Sequence, residues 1–440
     1  MKIHGSTDII LKTKYGRVDR YHSENTFQSS ILAEGLRNLG YAKASMYNSP
    51  DASNPPFSEI VGGILLLDKN DIPINSQFVP LGVKMTGNGA FGVTNSSAPN
   101  ELGSYNSAES IITPSSITQV YDWTTSQANG VIGSVCLTSR KGGYIGMGNS
   151  ISGQYASTLY DIEPSGIADA CPQDNLGTYK RNYNKIVCNG KQYSFVLNGT
   201  DLEITSFKIP LKNASVFDCI PTTIIKSVSD KQYSFMGSNY MISASEGKIY
   251  LTPRETMKPS GSFFIWKFDT SDESLTELEF NFGVKSMNVS VSHEKIFVPV
   301  YEGHTFKVFN LDGTSYDEIE TGTIAYADWI GSNVGDFGNH SLVRHIDFGS
   351  QNQYWSLYDS QLRTAYPTNM KANGFNRTQG LRMEETSKAL TETYWASGTS
   401  SLATHAFNNP LYLATINNLQ SPVTKDITMS MKILYKLEQS

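Results

Sequence analysis

The sequence lacks the features that mark membrane proteins and nucleic-acid-binding proteins. Only 17% of its 440 residues are charged, against ~25% in typical domains. Lys and Arg form no cluster and the net charge is −6, so we expect no affinity for nucleic-acid phosphates. No apolar run approaches the ~20 residues that cross a bilayer. The first residues contain no apolar segment, so we expect neither a Sec signal nor membrane insertion.

Cysteine and histidine are scarce and scattered, which argues against a metal site or a disulfide framework. The four cysteines form no CxxC pair, and the seven histidines form no HExxH or HxH pattern. We therefore expect free buried thiols, no metal and no cofactor. The cysteines are Cys136, Cys171, Cys188 and Cys219.

The loop motifs of common enzymes are incomplete. The stretch Arg140–Gly148 lacks the Gly-Lys-Ser/Thr of a phosphate loop, which favours a hairpin or bulge. Residues 148–153 approach a nucleophile elbow, but Ser152 stands where the second glycine belongs. The sequence thus predicts no enzyme. Its 41 acidic residues nevertheless leave open a glycosidase-type carboxylate pair.

Ser, Thr, Asn and Gly replace the missing charge, and this composition suits short strands joined by turns. Residues 7–22 predict a β-hairpin. Residues 26–39 predict a helix capped by Asn25, because apolar residues recur there at helical spacing. From Met429 to Leu437, apolar and polar residues alternate, which predicts a strand with one buried face.

Three further segments between these ends have strand character. Val61–Leu67 predicts a buried strand. Val120–Thr124 and Val131–Thr138 flank Asn129-Gly130, a dipeptide typical of two-residue hairpin turns because both positions need positive φ. We therefore expect the latter two strands to pair with each other.

The middle of the chain repeats itself weakly. The pentapeptide KQYSF occurs at Lys191–Phe195 and again at Lys231–Phe235. Gly247–Leu251 is echoed by Glu294–Val298, and an aromatic strand and an acidic turn follow each. The two copies of KQYSF lie 40 residues apart, and the two copies of the second motif lie 47 residues apart. Repeats of this length, with this order of strands and turns, are typical of propeller blades. They predict an all-β domain with four or five blades, and two irregular β-sandwiches are the alternative.

The sequence pattern of the C-terminal residues is again that of separate strands and loops, as in the N-terminal part, without the repeats of the middle. A short tail alone makes a marginal sheet, so we expect it to pair with the N-terminal strands. The predicted architecture is mainly β, a split, antiparallel, jelly-roll-like sandwich with one N-terminal helix and an inserted propeller-like domain. The sandwich is expected to comprise residues 1–154 and 369–440, and the insert residues 155–368.

Tyrosine and tryptophan suit both sugar stacking and protein interfaces. Most aromatic residues of this chain are expected to pack between strands. The candidates for an exposed recognition face in the insert are Trp266, Tyr301, Trp329 and Trp355.

Two stretches outside the insert resemble virion structural proteins of tailed phages from low-GC Gram-positive hosts. Leu413–Lys425, LATINNLQSPVTK, is similar to their LATIxNLxSPVTK and precedes a final strand, here Met429–Tyr435. Pro114–Thr138 is similar to their VxxVWDWxTxQANGTIxxVxLT core. The resemblance covers roughly residues 1–150 and 375–440.

The resemblance implies a non-enzymatic virion protein of the tail-fibre, baseplate or receptor-binding type. It implies attachment to a host-surface glycan, contacts with other virion proteins, and a homo-oligomer with a trimer favoured. Such a protein assembles in the host cytoplasm without a signal peptide. The alternatives are a head-decoration, head-fibre or connector protein with no host-binding role, and a glycan depolymerase.

Overall fold

The computed structural model describes most of the two ends of the chain and the strands between them. The described residues are 3–24, 26–27, 58–95, 101–145, 185–189, 191–208, 222–228, 240–253, 263–283, 289–300, 305–320, 334–347, 352–372, 377–384, 389–395, 404–408 and 413–439.

The chain is mainly β. Its strands are β1 (Ile3–Thr13), β2 (Val18–Glu24), β3 (Thr26–Phe27), β4 (Gly63–Leu67), β5 (Met85–Ala90), β6 (Ser104–Tyr105), β7 (Ile111–Ile112), β8 (Ser116–Trp123), β9 (Gly130–Thr138), β10 (Lys185–Cys188), β11 (Lys191–Asn198), β12 (Asp201–Lys208), β13 (Thr222–Ser227), β14 (Tyr240–Ser245), β15 (Lys248–Pro253), β16 (Phe263–Asp269), β17 (Leu275–Phe280), β18 (Ser290–Ser292), β19 (Lys295–Pro299), β20 (Thr305–Asn310), β21 (Ser315–Glu320), β22 (Val334–Phe337), β23 (His340–Asp347), β24 (Asn352–Asp359), β25 (Thr364–Ala372), β26 (Arg377–Glu384), β27 (Ala389–Trp395), β28 (Thr404–Asn408), β29 (Thr415–Lys425) and β30 (Met429–Gln439).

Two short helices lie beside these strands, α1 (Ser58–Val61) and α2 (Arg140–Ile145). Helix α2 corrects the expected hairpin or bulge in the glycine-rich stretch. Its glycines permit close packing, because a Cβ on Gly143 would lie 2.0 Å from the Gly89 carbonyl oxygen. No helix among the described residues is long and apolar enough to cross a membrane.

The chain divides into two compact units. The first comprises Met1–Leu159, Tyr366–Met370 and Asn408–Ser440, and the second comprises Tyr160–Ala365 and Lys371–Phe407. The expected return to the outer domain at residue 369 is too early. Strands β26, β27 and β28 form a further sheet of the second unit, so the main return follows them.

The first unit is a β-sandwich. One sheet has the order β2-β1-β30-β8-β6, with β7 also paired to β8, and the other has the order β3-β29-β9-β4-β5. Both contribute to one core, in which Ile9 and Tyr121 of the first sheet pack with Ile64 and Val135 of the second. Tyr121 also donates a hydrogen bond across the core, from its hydroxyl to the Gly62 carbonyl (3.2 Å).

Pairing of the two chain ends confirms the expected split domain. Strand β30 pairs antiparallel with β1 along its whole length, and Met431, Ile433 and Tyr435 point into the core. The N-terminal hairpin is also confirmed, because β1 pairs with β2. The predicted helix 26–39 is wrong at its first two residues, which form β3 on β29, and its remainder lies outside the described residues.

The predicted hairpin at Asn129-Gly130 is wrong. Strands β8 and β9 flank this dipeptide, but they belong to different sheets and pair with β30 and β29. The connection is an arch that crosses the core, and the β29–β30 connection is a second arch beside it. The Asn-Gly dipeptide indicates only which dihedral angles the turn can adopt. The apolar residues of both strands are buried here because the two strands lie in sheets that face each other across the core.

The second unit contains five antiparallel sheets among its described residues. Four are four-stranded meanders, β10–β13, β14–β17, β18–β21 and β22–β25, and the last is β26–β28. The first strands contact one another in a ring, from β10 through β14, β18 and β22 to β26 and back to β10. This arrangement is a five-sheet β-propeller, which confirms the repeat-based prediction. The second copy of KQYSF lies outside the described residues.

Candidate functional site

The turns between first and second strands occupy equivalent positions in the propeller sheets. In the second sheet Ser245 pairs with Lys248, and in the third Ser292 pairs with Lys295. In the fourth sheet the same position pairs Phe337 with His340. The echo between Gly247–Leu251 and Glu294–Val298 therefore marks equivalent second strands.

The fourth sheet differs from this repeat at the next residue pair, one position further from the turn. The second sheet has the apolar pair Ala244–Ile249 there, and the third has Val291–Ile296. The fourth has Asp336–Ser341, and both residues are buried. Burial of a carboxylate costs free energy unless partners compensate, so a departure of this kind marks a functional or strained position.

The partners of Asp336 come from the neighbouring sheets. The Ser292 hydroxyl donates to Asp336 Oδ1 (2.7 Å) and lies 2.8 Å from the Ser341 hydroxyl. The backbone N–H of His293 donates to Asp336 Oδ1 (3.1 Å) and to the Ser245 hydroxyl (2.8 Å). We call Ser245, Glu246, Ser292, His293, Asp336 and Ser341 the turn cluster.

The imidazole of His293 lies between carboxylates. Its Nδ1 is 3.4 Å from Glu246 Oε1, and its Nε2 is 3.1 Å from the His340 carbonyl oxygen and 3.8 Å from Asp336 Oδ1. His293 and Glu294 both have left-handed backbone, with φ of 45° and 56°. Two-residue hairpin turns of this kind need positive φ at both central positions, and Glu246 and Gly247 have the same conformation in the second sheet.

Burial and charge act against each other within the turn cluster. Burial lowers the pKa of His293, but the charge of Asp336 and the contact with Glu246 outweigh burial and raise this pKa above its usual value. The His293 contact lowers the pKa of Glu246. Burial raises the pKa of Asp336, and His293 and Ser292 oppose that rise.

Neighbouring polar groups complete this end of the propeller. Lys248 Nζ lies 3.0 Å from Glu294 Oε1 and links the turns of the second and third sheets. His340 is buried, with Nε2 3.6 Å from Asp359 Oδ2, and neither of its ring nitrogens makes a hydrogen bond within the described structure. In the described part of the chain, no group of three or more His, Cys, Asp or Glu side chains could hold a metal ion.

Of the predicted recognition aromatics, Trp266 is the one whose side chain the structure describes. Trp266 is only 1% exposed and packs in the core between the first two propeller sheets, where its Nε1 donates to Glu277 Oε2 (3.2 Å). The prediction that it lies on an exposed face is therefore wrong, because it fills the inter-sheet core. The backbone of Trp355 lies in β24, opposite Arg344. Tyr301 and Trp329 lie outside the described residues.

A second cluster of polar groups lies in the sandwich, at its paired arches. The Lys425 side chain is buried, and its Nζ donates to the carbonyl oxygens of Gln127 (2.6 Å) and Thr125 (3.3 Å) and to Asn129 Oδ1 (2.8 Å). All three acceptors are uncharged, so burial lowers the pKa of Lys425 to about 8. The amino group thus fastens the end of β29 to the arch between β8 and β9.

The geometry of the arch between β8 and β9 accounts for the residues found in it. Gln127 is buried, and its Oε1 accepts from the Thr124 N–H (2.9 Å), which closes the loop. Ala128 has φ of 50°, and Gly130 has φ of 144°, where a side chain is strained. Cys136 and Cys188 are both buried, and burial raises the pKa of the Cys136 thiol to about 12.

The known proteins that match this chain share little sequence with it. No protein-family model and no curated protein matches the chain. A solved structure of AztD from Citrobacter koseri matches at 9% identity and a TM-score of 0.28, over 52% of this chain and 63% of that chain. The chain thus spans less than two thirds of AztD.

Two further solved structures match at low identity. The β-propeller domain of the Trilobed protease from Pyrococcus furiosus matches at 11% identity and a TM-score of 0.24, over 52% of this chain and 68% of that chain. The WD40 domain of Toxoplasma gondii coronin matches at 6% identity and a TM-score of 0.28, over 73% and 87%. At these identities and TM-scores, the matches say nothing about the activity of this chain.

Sequence reasoning missed the turn cluster, although a signal for it exists. Aligning the repeats by their turns places Asp336 and Ser341 where neighbouring repeats have apolar residues. The same alignment places His293-Glu294 where the preceding repeat has Glu246-Gly247. Departures from a repeat, rather than the aromatic residues, would have identified the site.

Proposed function

We propose that this chain is a structural protein of a bacteriophage particle, of the tail-fibre, baseplate or receptor-binding type. In this proposal the sandwich joins the particle and the propeller carries the binding surface. The carrying observation is that both stretches with phage-protein resemblance fold into adjacent strands. Strand β8 pairs with β30, β9 pairs with β29, and Lys425 fastens the arch between β8 and β9.

That adjacency matters because the two stretches are far apart in sequence. Had each resemblance arisen by chance, nothing would require the two stretches to form one substructure. Their residues also have matching roles, since the Lys425 of one stretch donates to Gln127 and Asn129 of the other. A shared buried contact of this kind supports descent of the sandwich from a common virion module.

The proposed ligand is a host-surface glycan, and the turn cluster is its proposed contact. Glu246 and His293 keep 51% and 20% of their side chains exposed, and Glu294 beside them keeps 53%. Carboxylate oxygens accept hydrogen bonds from sugar hydroxyls, and an imidazole edge can donate to them. Glycan binding through these polar contacts does not require stacking of a sugar on Trp266, which is buried.

Sedimentation of the purified chain with host cell walls tests the proposal, together with its solution mass by light scattering. We expect a trimer that sediments with the walls. Glu246→Gln should weaken sedimentation, while Glu109→Gln, which changes an exposed carboxylate of the sandwich, should not. Binding to empty capsids but not to walls would instead indicate a head-decoration or connector role.

The same incubation tests the depolymerase alternative. Glu246 and Asp336 flank one imidazole and have pKa values shifted in opposite directions, a pattern also found in acid–base pairs. Release of reducing ends that disappears in both Glu246→Gln and Asp336→Asn would favour that enzyme. Wall binding without release supports the attachment role. Binding to neither walls nor capsids would contradict the virion proposal.

A further inference from the structure

We propose that His293 is a pH-dependent latch, which holds the turns of three successive propeller sheets together while its imidazole is protonated. The latch goes beyond the attachment role, because it needs neither a ligand nor a phage particle. It can therefore be tested on the purified chain alone.

The acceptors of the ring lie on two different sheets. Nδ1 faces Glu246 Oε1 of the second sheet at 3.4 Å, and Nε2 faces the His340 carbonyl oxygen of the fourth at 3.1 Å. His293 itself belongs to the turn of the third sheet. A neutral imidazole has one N–H donor, and only the protonated ring can donate at both nitrogens.

Neither neutral tautomer keeps both contacts. A ring that donates from Nε2 to the His340 carbonyl presents the Nδ1 lone pair to the Glu246 carboxylate. The other tautomer presents the Nε2 lone pair to that carbonyl and to Asp336 Oδ1, 3.8 Å away. Each neutral form therefore loses one link between sheets and places two acceptors face to face.

Charged and titratable groups surround the ring on every packed element. Lys248 lies 3.0 Å from Glu294, which leaves two carboxylates to act on the imidazole. The groups are Glu246, Lys248 and Tyr250 from the second sheet, Glu294 from its own turn, and Asp336 and His340 from the fourth. The balance is negative, so it favours the imidazolium, and it raises the pKa of His293 in spite of burial.

The sign of the effect follows from this direction. The folded pKa of His293 is raised above the value of ~6.5 for an exposed histidine. The latch therefore contributes its full stability below that unfolded value, and the contribution is lost as pH rises through the folded pKa. Acidic conditions should hold this end of the propeller closed, and alkaline conditions should loosen it.

Loss of the proton should affect the exposed turns first. The His293 N–H reaches Ser245 and Asp336, and the latch keeps this left-handed turn in place. Without it, the half-exposed carboxylate of Glu246 is no longer tied to a cation at the ring. The charge and the order of this surface thus change together.

Histidine-selective NMR titration of the full chain measures the latch directly. His293→Gln identifies the resonance by its disappearance. We expect a midpoint above ~6.5, and a decrease of that midpoint in Glu246→Gln, where the imidazole remains but one carboxylate is neutral. A midpoint at or below ~6.5, or one that Glu246→Gln leaves unchanged, overturns the proposal.

Hydrogen exchange supplies the second readout. Because the stabilising contribution of the imidazolium is lost as pH rises through the raised pKa of His293, we expect protection of the 289–295 amides to fall from pH 6 to pH 8.5. His293→Gln should remove this pH dependence. His22→Gln is the matched control, because His22 pairs with Asp8 (2.7 Å) on the exposed surface of the sandwich. Equal pH dependence in His293→Gln and wild type overturns the latch.

Discussion

The sandwich and the propeller each bury a cationic side chain, and their surroundings shift the two pKa values in opposite directions. Lys425 in the sandwich donates to two carbonyls and an amide oxygen, all uncharged, and its pKa falls to about 8. His293 in the propeller lies beside Glu246 and Asp336, and its pKa rises. Burial opposes the charged form in both places, so the charge of the partners decides the direction.

This difference separates two uses of a buried cation. Neutral acceptors hold Lys425 firmly but do not favour its charge, which suits a permanent fastening between an arch and a strand. Carboxylate partners make the protonation of His293 favourable and conditional on pH, which suits a latch. The predictions below test this separation, from the largest effect to the smallest.

The largest effect should come from a buried tryptophan of the propeller. Trp266→Ala is expected to destabilise the second unit by about 4 kcal/mol, because it leaves a cavity between the first two sheets. Hydrogen exchange should accelerate more in β14–β17 than in the sandwich strands. Trp123→Ala, the matched change in the sandwich core, should give the reverse pattern. Equal acceleration in both units would show that the cores are not separate.

Lys425→Met should destabilise the sandwich by about 2 kcal/mol. The variant keeps the aliphatic stem but leaves the buried Gln127 carbonyl without its donor. Lys432→Met is the control, since Lys432 pairs with Glu109 at the surface and its loss should cost no more than about 0.5 kcal/mol. Urea unfolding monitored by exchange of β29 amides measures both. Equal costs would contradict a fastening role for Lys425.

The two cations should give pH profiles of opposite slope. The pKa of Lys425 is lowered to about 8 in the folded chain, against ~10.4 when exposed. The unfolded chain therefore binds more protons between these values, and the stability of wild type relative to Lys425→Met should rise with pH there. The stability of wild type relative to His293→Gln should fall as pH rises above ~6.5. Slopes of the same sign would contradict the proposed difference between the two buried cations.

The smallest effect is expected at Ser292. Ser292→Ala removes the hydroxyl that donates to Asp336, but the His293 N–H still donates to the same oxygen. The expected loss is about 1 kcal/mol, measured by thermal unfolding at pH 6. Asp336→Ala should cost more, since it removes the acceptor of both donors. A larger loss in Ser292→Ala than in Asp336→Ala would contradict this ranking.

Local patterns predicted much of the sandwich. Alternation from Met429 to Leu437 predicted β30, and the glycine turn predicted the β1–β2 hairpin. These predictions succeeded because a strand with one buried face shows its period in the sequence. The Asn129-Gly130 hairpin failed because local dihedral preferences do not specify whether two strands pair or cross the core.

The propeller was predictable as a class, and its site was not. The echo of Gly247–Leu251 in Glu294–Val298 predicted repeated meanders, and five sheets follow. The large aromatic Trp266 drew attention as a recognition residue, yet size and polarity at the tip do not distinguish a core from a surface. Burial is a property of the packed sheets and cannot be read from residue type.

By itself, the sequence determined the strand-rich composition, the alternation that buries one face of β30, and the repeat that predicts the propeller meanders. Each of these can be read from the order of residues along the chain, without knowing which distant residues meet in the folded protein. Only the tertiary structure decided that Lys425 meets Gln127 and that His293 lies between Glu246 and Asp336. These contacts join separate strands and sheets, so their charges and their pKa shifts exist only once the sheets have packed.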